Sequence, residues 1–507
     1  MDTTKSKQYT IGIDIGTTAV KAVLLDAAGE ALAWARHEQQ KFYPQPGWVE
    51  QDPEELLALV CRVIGELTTK QGIDPSQILA IGLDHQGESC LVWDSVSGKP
   101  LYPVITWQDR RMSEPAEQFK QAIGPQVRAK TGLTPDSYYS ALKFLWLLEH
   151  IPNGRSLAED GRLLGGTLDS WIIWKLTGGQ IFATDVCSAG CTMLCDIHHG
   201  CWDPWLLDQF SIPHRMLPKI LPCDGDFGQT QAHFFGCPIP IRAVAPDGHM
   251  GMFGIDGVKP GTLTVTYGTG SFMHLVTGAE AAKPERGLTV SRCCARHDEK
   301  VYQLNGICYT AGTAVKWLQN GLGILEDDRQ SAQIAASVPD SGGVIFVPAF
   351  TGLAMPWWDQ DARGALLGLT AGVTRAHIIR AVLESLAAQV DTNLEIMRQS
   401  CRGEISCIYT LGGITANEFL MQYQADLAGL PVIIPTQTEP CVGAAKLAMI
   451  SCIGDADWCG TATGNTNRVF YPSKDENWRK QQLKNWNQGV ARCLTSGLDA
   501  AAPLEID

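Results

Sequence analysis

The sequence lacks the features that define several classes of protein. It contains no run of about 18 uninterrupted apolar residues, and its N-terminus, "MDTTKSKQYT", lacks the apolar core of a signal peptide. We therefore expect a cytoplasmic protein with no membrane partner. Basic residues are in deficit, since the formal net charge is -14 at pH 7. A nucleic-acid partner would require an excess of Lys and Arg to replace phosphate counterions, so a small molecule is the expected partner.

The cysteines lack the arrangement of a disulfide framework. All 17 are scattered through a long chain without an export signal, which predicts reduced and mostly buried thiols. Cys187, Cys191 and Cys195 share a spacing of four and would face one metal ion if they lay on a single helix. The intervening "SAG" and "TML" offer no His or carboxylate, so we do not predict a zinc site there.

The remaining composition is that of an ordinary soluble globular protein. Of the 507 residues, 45% are hydrophobic and 19% are charged. This length exceeds what one hydrophobic core usually organises, which predicts two domains.

The first recognisable motif is the stretch "YTIGIDIGTTAVKAVLLDAAGE", residues 9–30. Alternating apolar and β-branched residues predict consecutive antiparallel strands joined by hairpins. The first connection is Gly16-Thr17-Thr18, whose backbone N–H groups and hydroxyls suit a phosphate chain, and the carboxylate of Asp14 suits hydrated Mg²⁺. A plain hairpin with threonines in its turn explains this stretch equally well when it is considered alone.

A second copy of the pattern favours the phosphate interpretation. "GTLTVTYGTGSFMHLVTG", residues 261–278, again reads as strand, Gly-Thr turn and strand, which indicates an internal duplication. Helical periodicity follows each copy, for example in "DPEELLALVCRVIGELTTK" and "RAHIIRAVLESLAAQVDTNLEIMRQ". We predict an N-terminal domain over residues 1–258 and a C-terminal domain over residues 259–507, with a nucleotide between them.

Seven motifs, in order, resemble those of the FGGY family of carbohydrate kinases over about residues 9–455. They are "GIDIGTTAVKAVLLD", "PQPGWVEQDPEE", "VITWQDRR", "APDGHMGMFGIDGVKPG", "TYGTGSF", "VPAFTGLAMPWWDQDARGALLGLT" and "LGGITANEFLMQYQADLAGLPV". Within the family, "WQDRR" and the last two motifs are more similar to glycerol kinases than to xylulokinases. The resemblance implies an α/β fold, the duplicated ribonuclease H-like fold shared with actin, hexokinase and Hsp70 ATPase domains, with two domains around a nucleotide cleft.

The resemblance also implies ATP and Mg²⁺ as cofactors and a hydroxyl of a sugar or polyol as phosphate acceptor. Asp247 matches the family's catalytic aspartate, since a carboxylate in hydrogen-bond reach can take the proton of the attacking alcohol. Asp14 and Asp247 are the metal residues that it implies. The implied nucleotide-binding residues are Thr17, Thr18, Gly268, Thr269, Gly312, Lys316, Gly413 and Asn417. Lys316 departs from the glycerol kinases in residue type and could be a solvated helical lysine, and Asn417 could be a plain helix cap.

The acceptor-binding residues implied by the family match combine carboxylates with aromatic walls. Carboxylates bind the hydroxyls of a polyol while aromatic rings cover its C–H face. The residues are Gln86, Gly87, Glu88, Trp107, Tyr138, Asp247 and Phe272.

Two residues of the predicted acceptor site depart from the pattern of the glycerol kinases. Glycerol kinases carry arginine where this chain has Gly87, and glutamine where Gly248 follows Asp247. An arginine fork would fix a short triol, so its loss predicts a larger acceptor, most plausibly a pentulose such as xylulose or a polyol of four to five carbons. The alternative is glycerol, with His85 or His249 taking the place of the arginine.

Other functions on the same fold are a catalytically silent sugar sensor and a chaperone-like or filament-forming ATPase. The acceptor residues have no purpose in the ATPase, and a sensor would be expected to lose Asp14 or Asp247. The resemblance is also compatible with a homodimer.

Overall fold

A computed structural model describes residues 9–255, 258–283, 287–294, 296–297, 299–401, 403–436, 439–454 and 467–495. Between residues 9 and 255 the strands are β1 (Tyr9–Ile15), β2 (Ala19–Leu25), β3 (Ala31–Glu38), β4 (Glu50–Gln51), β5 (Ile78–His85), β6 (Cys90–Asp94), β7 (Val104–Ile105), β8 (Leu163–Thr167), β9 (Ala183–Asp185), β10 (Cys195–Asp196), β11 (Cys201–Trp202), β12 (Lys219–Leu221) and β13 (Ile241–Pro246). The helices of this part are α1 (Pro53–Gln71), α2 (Ser113–Thr131), α3 (Ser140–His150), α4 (Gly154–Glu159), α5 (Leu168–Leu176), α6 (Val186–Gly190), α7 (Pro204–Gln209), α8 (Ala232–Phe235) and α9 (Asp247–Gly254).

The later part of the chain adds strands β14 (Leu263–Tyr267), β15 (Ser271–Gly278), β16 (Thr289–Arg292), β17 (Tyr302–Cys308), β18 (Ile345–Val347), β19 (Ala365–Leu367), β20 (Ile408–Leu411), β21 (Val432–Ile434) and β22 (Arg468–Phe470). Its helices are α10 (Gly312–Asn320), α11 (Ser331–Ala336), α12 (Arg375–Ser400), α13 (Glu418–Ala428), α14 (Pro440–Ile453) and α15 (Glu476–Ala491). Short 3₁₀ turns lie at Pro75–Gln77, His214–Met216, Asp328–Gln330 and Gly413–Ala416.

The chain forms two compact units that are not continuous in sequence. Unit 1 comprises Met1–Val258, Ser291–Val301 and Glu439–Gly464, and unit 2 comprises Lys259–Val290, Tyr302–Thr438 and Asn465–Asp507. The division after Val258 coincides with the boundary predicted from the sequence. The two halves predicted there were continuous, whereas two later segments of the chain pack with unit 1.

The central sheet of unit 1 has the strand order β13-β5-β1-β2-β3. As the alternating pattern predicts, β1, β2 and β3 are consecutive antiparallel strands. On the other side of β1, β5 pairs parallel to β1, and β13 pairs parallel to β5. The isoleucines of β1 pack in one core with the leucines of α1, while the opposite face is covered by α14. This arrangement agrees with the predicted duplicated α/β fold.

Helix α14 lies very close to the sheet because glycines of β1 and β5 face its backbone. A Cβ atom added to Gly12 would lie 1.7 Å from the carbonyl oxygen of Cys441, and one added to Gly82 would lie 2.1 Å from that of Ala444. A Cβ on Gly443 would lie 1.9 Å from the carbonyl oxygen of Met250 in α9. Only glycine permits this packing of backbone on backbone.

The stretch "ILAIGLDHQGESCLVWD" forms two strands around a polar turn, as predicted, but the strands do not pair with each other. β5 belongs to the central sheet, whereas β6 belongs to a four-stranded sheet of order β4-β7-β6-β8. The turn Gln86–Ser89 therefore connects two sheets within unit 1.

The main sheet of unit 2 repeats the beginning of the unit 1 sheet. Its strand order is β16-β17-β15-β14-β20-β21-β22, with β14 and β15 forming an antiparallel hairpin and β20 running parallel to β14. The hairpin of β1 and β2 beside parallel β5 has the same topology, which agrees with the internal duplication. The C-terminal amphipathic helix, α15, buries Leu483 and Trp486 against unit 2.

The three evenly spaced cysteines do not share a helix. Cys187 lies in α6, Cys191 follows the end of this helix, and Cys195 lies in strand β10.

Among the described helices, none combines the length and the apolar character needed to span a bilayer.

Asp391 in α12 is a fully buried carboxyl group. Neither of its oxygens has a hydrogen-bond partner among the described residues, and burial raises its pKa to about 7. Because the folded-state pKa is raised, the protonated carboxyl group contributes stability to the fold. This contribution is fully present below the ordinary pKa of aspartate and is lost as pH rises through about 7.

We therefore expect Asp391→Asn to remove a large part of the pH dependence of stability. Between pH 5 and pH 8 the native protein should lose on the order of 2 kcal/mol of unfolding free energy that the variant retains. Urea unfolding at pH 5, 6, 7 and 8 measures this difference, and parallel pH profiles for the two proteins would contradict it.

Candidate active site

Three aspartates lie at the carboxyl ends of neighbouring parallel strands in unit 1. Asp14 is near the end of β1, Asp84 near the end of β5, and Asp247 follows β13 as the first residue of α9. The strand register pairs Asp84 with Asp14 on one side and with Ala245 on the other, so the strand order places Asp84 between the other two. Sequence reasoning identified Asp14 and Asp247 and missed Asp84.

The electrostatics of this cluster are those of crowded, poorly hydrated carboxyl groups. Burial, together with the charges of Asp14 and Glu88, raises the pKa of Asp247 to about 7. Burial also raises the pKa of Asp14, although the Lys21 ammonium group, 3.4 Å from its Oδ2 atom, opposes this shift. A carboxyl group with a pKa close to neutral can accept a proton from an alcohol and release it again.

The hairpin turn predicted to bind phosphate, Gly16-Thr17-Thr18, is held by side chains from the rest of unit 1. The indole Nε1 of Trp107 donates to the Thr17 hydroxyl at 2.9 Å, and Gln51 donates to the Thr17 carbonyl oxygen at 3.0 Å. Thr18 is exposed at the tip of the turn. Because Thr17 accepts from Trp107, its own hydroxyl hydrogen is free to be donated elsewhere.

The predicted acceptor residues of unit 1 lie together. Glu88 is half-buried and accepts hydrogen bonds from the Tyr138 hydroxyl and the Cys191 thiol, although burial raises its pKa. The rings of Trp107 and Tyr138 meet edge to face, with centroids 5.8 Å apart. Gln86 is buried and donates to Gln51 at 2.7 Å. A carboxylate beside two aromatic rings can bind a hydroxylated carbon chain.

Gly87 is closely approached by two neighbouring side chains. A Cβ atom at this position would lie 3.2 Å from Cβ of Pro246 and 3.3 Å from Sγ of Cys191, so both contacts would be tight. The two histidines proposed to replace the arginine are buried and held in place. His85 is bonded to Ser188 at 2.8 Å, and His249 to the carbonyl oxygen of Arg292 at 3.0 Å.

Lys143 in α3 is a residue that the sequence did not single out. Its side chain is 1% exposed, and its ammonium group donates to the carbonyl oxygens of Glu88, at 3.0 Å, and of Tyr138. Burial lowers its pKa to about 8. Lys143 therefore joins the backbones of two acceptor residues.

We expect Lys143→Met to raise KM for the acceptor about tenfold or more. Each buried carbonyl left without a donor costs about 1–3 kcal/mol, so both backbone segments should shift. KM for the nucleotide should stay the same, because the Lys143 ammonium group donates to Glu88 and Tyr138 and to none of the predicted nucleotide-binding residues. Steady-state kinetics with Lys99→Met as an exposed control tests this, and an unchanged acceptor KM would contradict it.

Unit 2 contains a cavity of about 450 Å³. It collects every nucleotide-binding residue that was predicted in this half of the chain. Those residues are Gly268, Thr269, Gly312, Lys316, Gly413 and Asn417. The cavity is also lined by Asp328, Arg329 and Ser331, which sequence reasoning did not identify.

Two of the segments that line the cavity, the turn at Gly268 and the start of α10, contact each other. The backbone N–H of Gly312 donates to the carbonyl oxygen of Gly268 at 2.9 Å, so α10 begins against the second hairpin. A Cβ on Gly312 would lie 2.8 Å from the same oxygen, which explains the glycine. The first turn of a helix carries unpaired N–H groups and a positive dipole, both suited to phosphate.

The remaining candidates of unit 2 differ in how they are placed. Asn417 is the N-cap of α13 and also lines the cavity, so the two interpretations of this residue are compatible. A Cβ on Gly413 would meet nothing within 4 Å, whereas Gly412, at a φ of 94°, would clash with Tyr267. Lys316 is exposed at the cavity, and Phe272 is half-buried in β15.

The chain is similar to known proteins over nearly its whole length. Residues 9–254 match the N-terminal domain, and residues 263–452 the C-terminal domain, of the FGGY family of carbohydrate kinases. A protein named glycerol kinase from Pseudothermotoga lettingae is 41% identical over 493 residues, which cover 96% of this chain and 99% of that protein. A second, from Carboxydothermus hydrogenoformans, is 39% identical and covers 96% and 98%.

Two solved structures show the same architecture. Plasmodium falciparum glycerol kinase with ADP has a TM-score of 0.89 and 29% identity, and the match covers 96% of this chain and 99% of that one. A xylulose kinase from Lactobacillus acidophilus has a TM-score of 0.85 and 24% identity, over 95% and 97%. The second likeness concerns the fold alone.

Proposed function

Because the chain belongs to the FGGY family of carbohydrate kinases, and is thus a phosphotransferase with an alcohol acceptor, we propose that it phosphorylates a terminal hydroxyl of glycerol with ATP. The observation that carries this proposal is the similarity over the whole length to relatives named glycerol kinase. The close approach of Pro246 and Cys191 to Gly87 supports it, because these side chains take up part of the volume beside the missing arginine.

The second candidate acceptor is a pentulose such as xylulose. It is favoured by the missing arginine and by Gly248, because both departures remove polar groups that would fix a short triol. Relative to the expectation from the sequence, the order of the two candidates is reversed.

In the proposed reaction, the residues of unit 1 bind the acceptor and take its proton. The Glu88 carboxylate accepts hydrogen bonds from hydroxyls of the phosphate acceptor, while Trp107 and Tyr138 cover its carbon chain. Asp247 receives the proton of the terminal hydroxyl while the hydroxyl oxygen attacks the γ-phosphorus of ATP. The leaving group is ADP. The pKa of about 7 at Asp247 fits this exchange.

The nucleotide and its metal are assigned to residues with suitable donors. Gly268, Thr269 and the first turn of α10 offer N–H groups to phosphates, and Gly413 and Asn417 border the place for the base. Asp14 and Asp247 would hold Mg²⁺, which neutralises charge on the transferring phosphoryl group. The fit rests on Asp14, because its buried Oδ1 atom has no partner among the described residues.

A coupled ADP-release assay tests the proposal. It would compare kcat/KM for glycerol, erythritol, xylulose, ribulose and gluconate in the native protein and in Glu88→Gln. We expect glycerol to be the best acceptor and Glu88→Gln to lower its kcat/KM. Xylulose as the best acceptor would favour the second candidate, and ligand binding without turnover on any acceptor would indicate a silent sugar sensor.

Gly87→Arg provides a further check of the packing argument. Because the added side chain must displace Pro246 or Cys191, we expect lower kcat/KM on every acceptor in the panel. Full activity on glycerol in this variant would show that the site accommodates the arginine.

A further inference from the structure

Asp84 is a buried carboxyl group to which no N–H or O–H group donates. Its relative exposure is 0%, and neither oxygen accepts a hydrogen bond or forms an ion pair among the described residues. Leaving such a group buried and unpaired costs free energy, so it calls for an explanation.

The fold places Asp84 directly beside Asp14. The two residues are register partners on adjacent parallel strands, so their side chains leave the same face of the sheet. The two carboxyl groups lie at hydrogen-bonding distance from each other. Two ionised carboxylates both lack a donor and repel each other, so this contact is favourable only if a proton or a cation lies between them.

The local charges favour a cation. Asp14, Asp84, Asp247 and Glu439 contribute four carboxyl groups to this region, and Lys21 is the one ammonium group within the described residues that pairs with any of them. The Nζ atom of Lys21 lies 2.5 Å from Glu439 and 3.4 Å from Asp14, so it is already engaged away from Asp84. Oxygen ligands of this kind are those that hard divalent cations take.

We propose that Asp84 is a third carboxylate ligand of the divalent cation, beside Asp14 and Asp247. This inference rests on the proposed function, since it concerns the same metal. The inference goes beyond the proposed function in one respect. An added anionic ligand lets unit 1 bind the cation in the absence of nucleotide, because affinity for a hard cation rises with the number of charged ligands. The order of loading is then metal first, with the nucleotide phosphates joining a cation that is already bound.

The test is Mn²⁺ titration of the full chain without nucleotide, followed by the electron paramagnetic resonance signal of free Mn²⁺. We expect the native protein to bind one ion and Asp84→Asn to bind it at least about tenfold more weakly. The matched control is Asp391→Asn, which also neutralises a buried unpaired carboxyl group but lies in unit 2. This control should bind Mn²⁺ like the native protein.

Thermal unfolding provides a second readout that does not depend on turnover. At the same Mn²⁺ concentration, the unfolding temperature should rise more in the native protein and in Asp391→Asn than in Asp84→Asn, which should fold because its new side chain is of nearly equal size. Unchanged Mn²⁺ affinity in Asp84→Asn, or no Mn²⁺ binding by the native protein without nucleotide, would overturn the inference and leave a proton between the two carboxyl groups. The acceptor panel separates this failure from failure of the proposed function, because turnover on glycerol would then persist.

Discussion

Asp247→Asn is expected to lower turnover by about 10²–10⁴-fold while nucleotide affinity stays the same. The amide has nearly the shape of the carboxyl group but cannot accept the proton of the attacking alcohol. The cavity to which we assign the nucleotide is lined by residues of unit 2, so none of its lining changes with this substitution. The loss should therefore lie in kcat.

The measurement combines ADP release with direct titration of a fluorescent nucleotide. Asp160→Asn is a suitable control because Asp160 is exposed and follows α4, outside the carboxylate cluster. Turnover close to that of the native protein would remove Asp247 from its role. Loss of nucleotide binding together with turnover would show that the residue acts through the metal and phosphates instead.

Gly12→Ala is expected to destabilise the protein by at least about 3 kcal/mol. The added methyl group would lie 1.7 Å from the carbonyl oxygen of Cys441, and this neighbour is backbone, so no side-chain rotation can relieve the overlap. Strand β1 and helix α14 would have to separate, which would open the core around Val442 and Ala445.

Gly65→Ala is the matched control for this prediction. Gly65 lies within α1, and a Cβ added there meets nothing within 4 Å. The same chemical change should stabilise the protein by roughly 0.5–1 kcal/mol, because alanine favours the helix. Urea unfolding of both variants measures the contrast, and a Gly12→Ala midpoint equal to that of the native protein would contradict the packing argument.

Local features of the fold could be predicted from the sequence. The hairpins around Gly16 and Gly268 follow from alternation and turn residues, which are properties of neighbours in the chain. The long helix α12 likewise follows from its periodicity. The discontinuity of unit 1 could not be predicted, because nothing local in "PCVGAAKLAMISCI" says that this helix packs on strands formed by the first hundred residues.

The candidate site was predicted in part for the same reason. Asp14 and Asp247 could be identified through motifs, but Asp84 becomes a neighbour of Asp14 only through the register of two strands that are distant in sequence. Lys143 reads as one polar residue in an apolar helix, and its partners are backbone atoms that no side-chain pattern reveals. The close contacts at Gly87 could not be predicted either, because Cys191 and Pro246 reach this residue from other elements.

The position of α14 late in the chain has a consequence for biosynthesis. A ribosome releases the strands of the unit 1 sheet first and supplies the covering helix only after most of unit 2 has been translated, a delay of roughly 10 to 40 s at about 5–20 residues per second. During that interval, the face around Gly12 and Gly82 has no partner, and an N-terminal fragment that ends at Val258 never acquires one. The nascent protein is thus an expected client of chaperones, and a premature stop anywhere before residue 439 should yield an aggregating product rather than a folded half-enzyme.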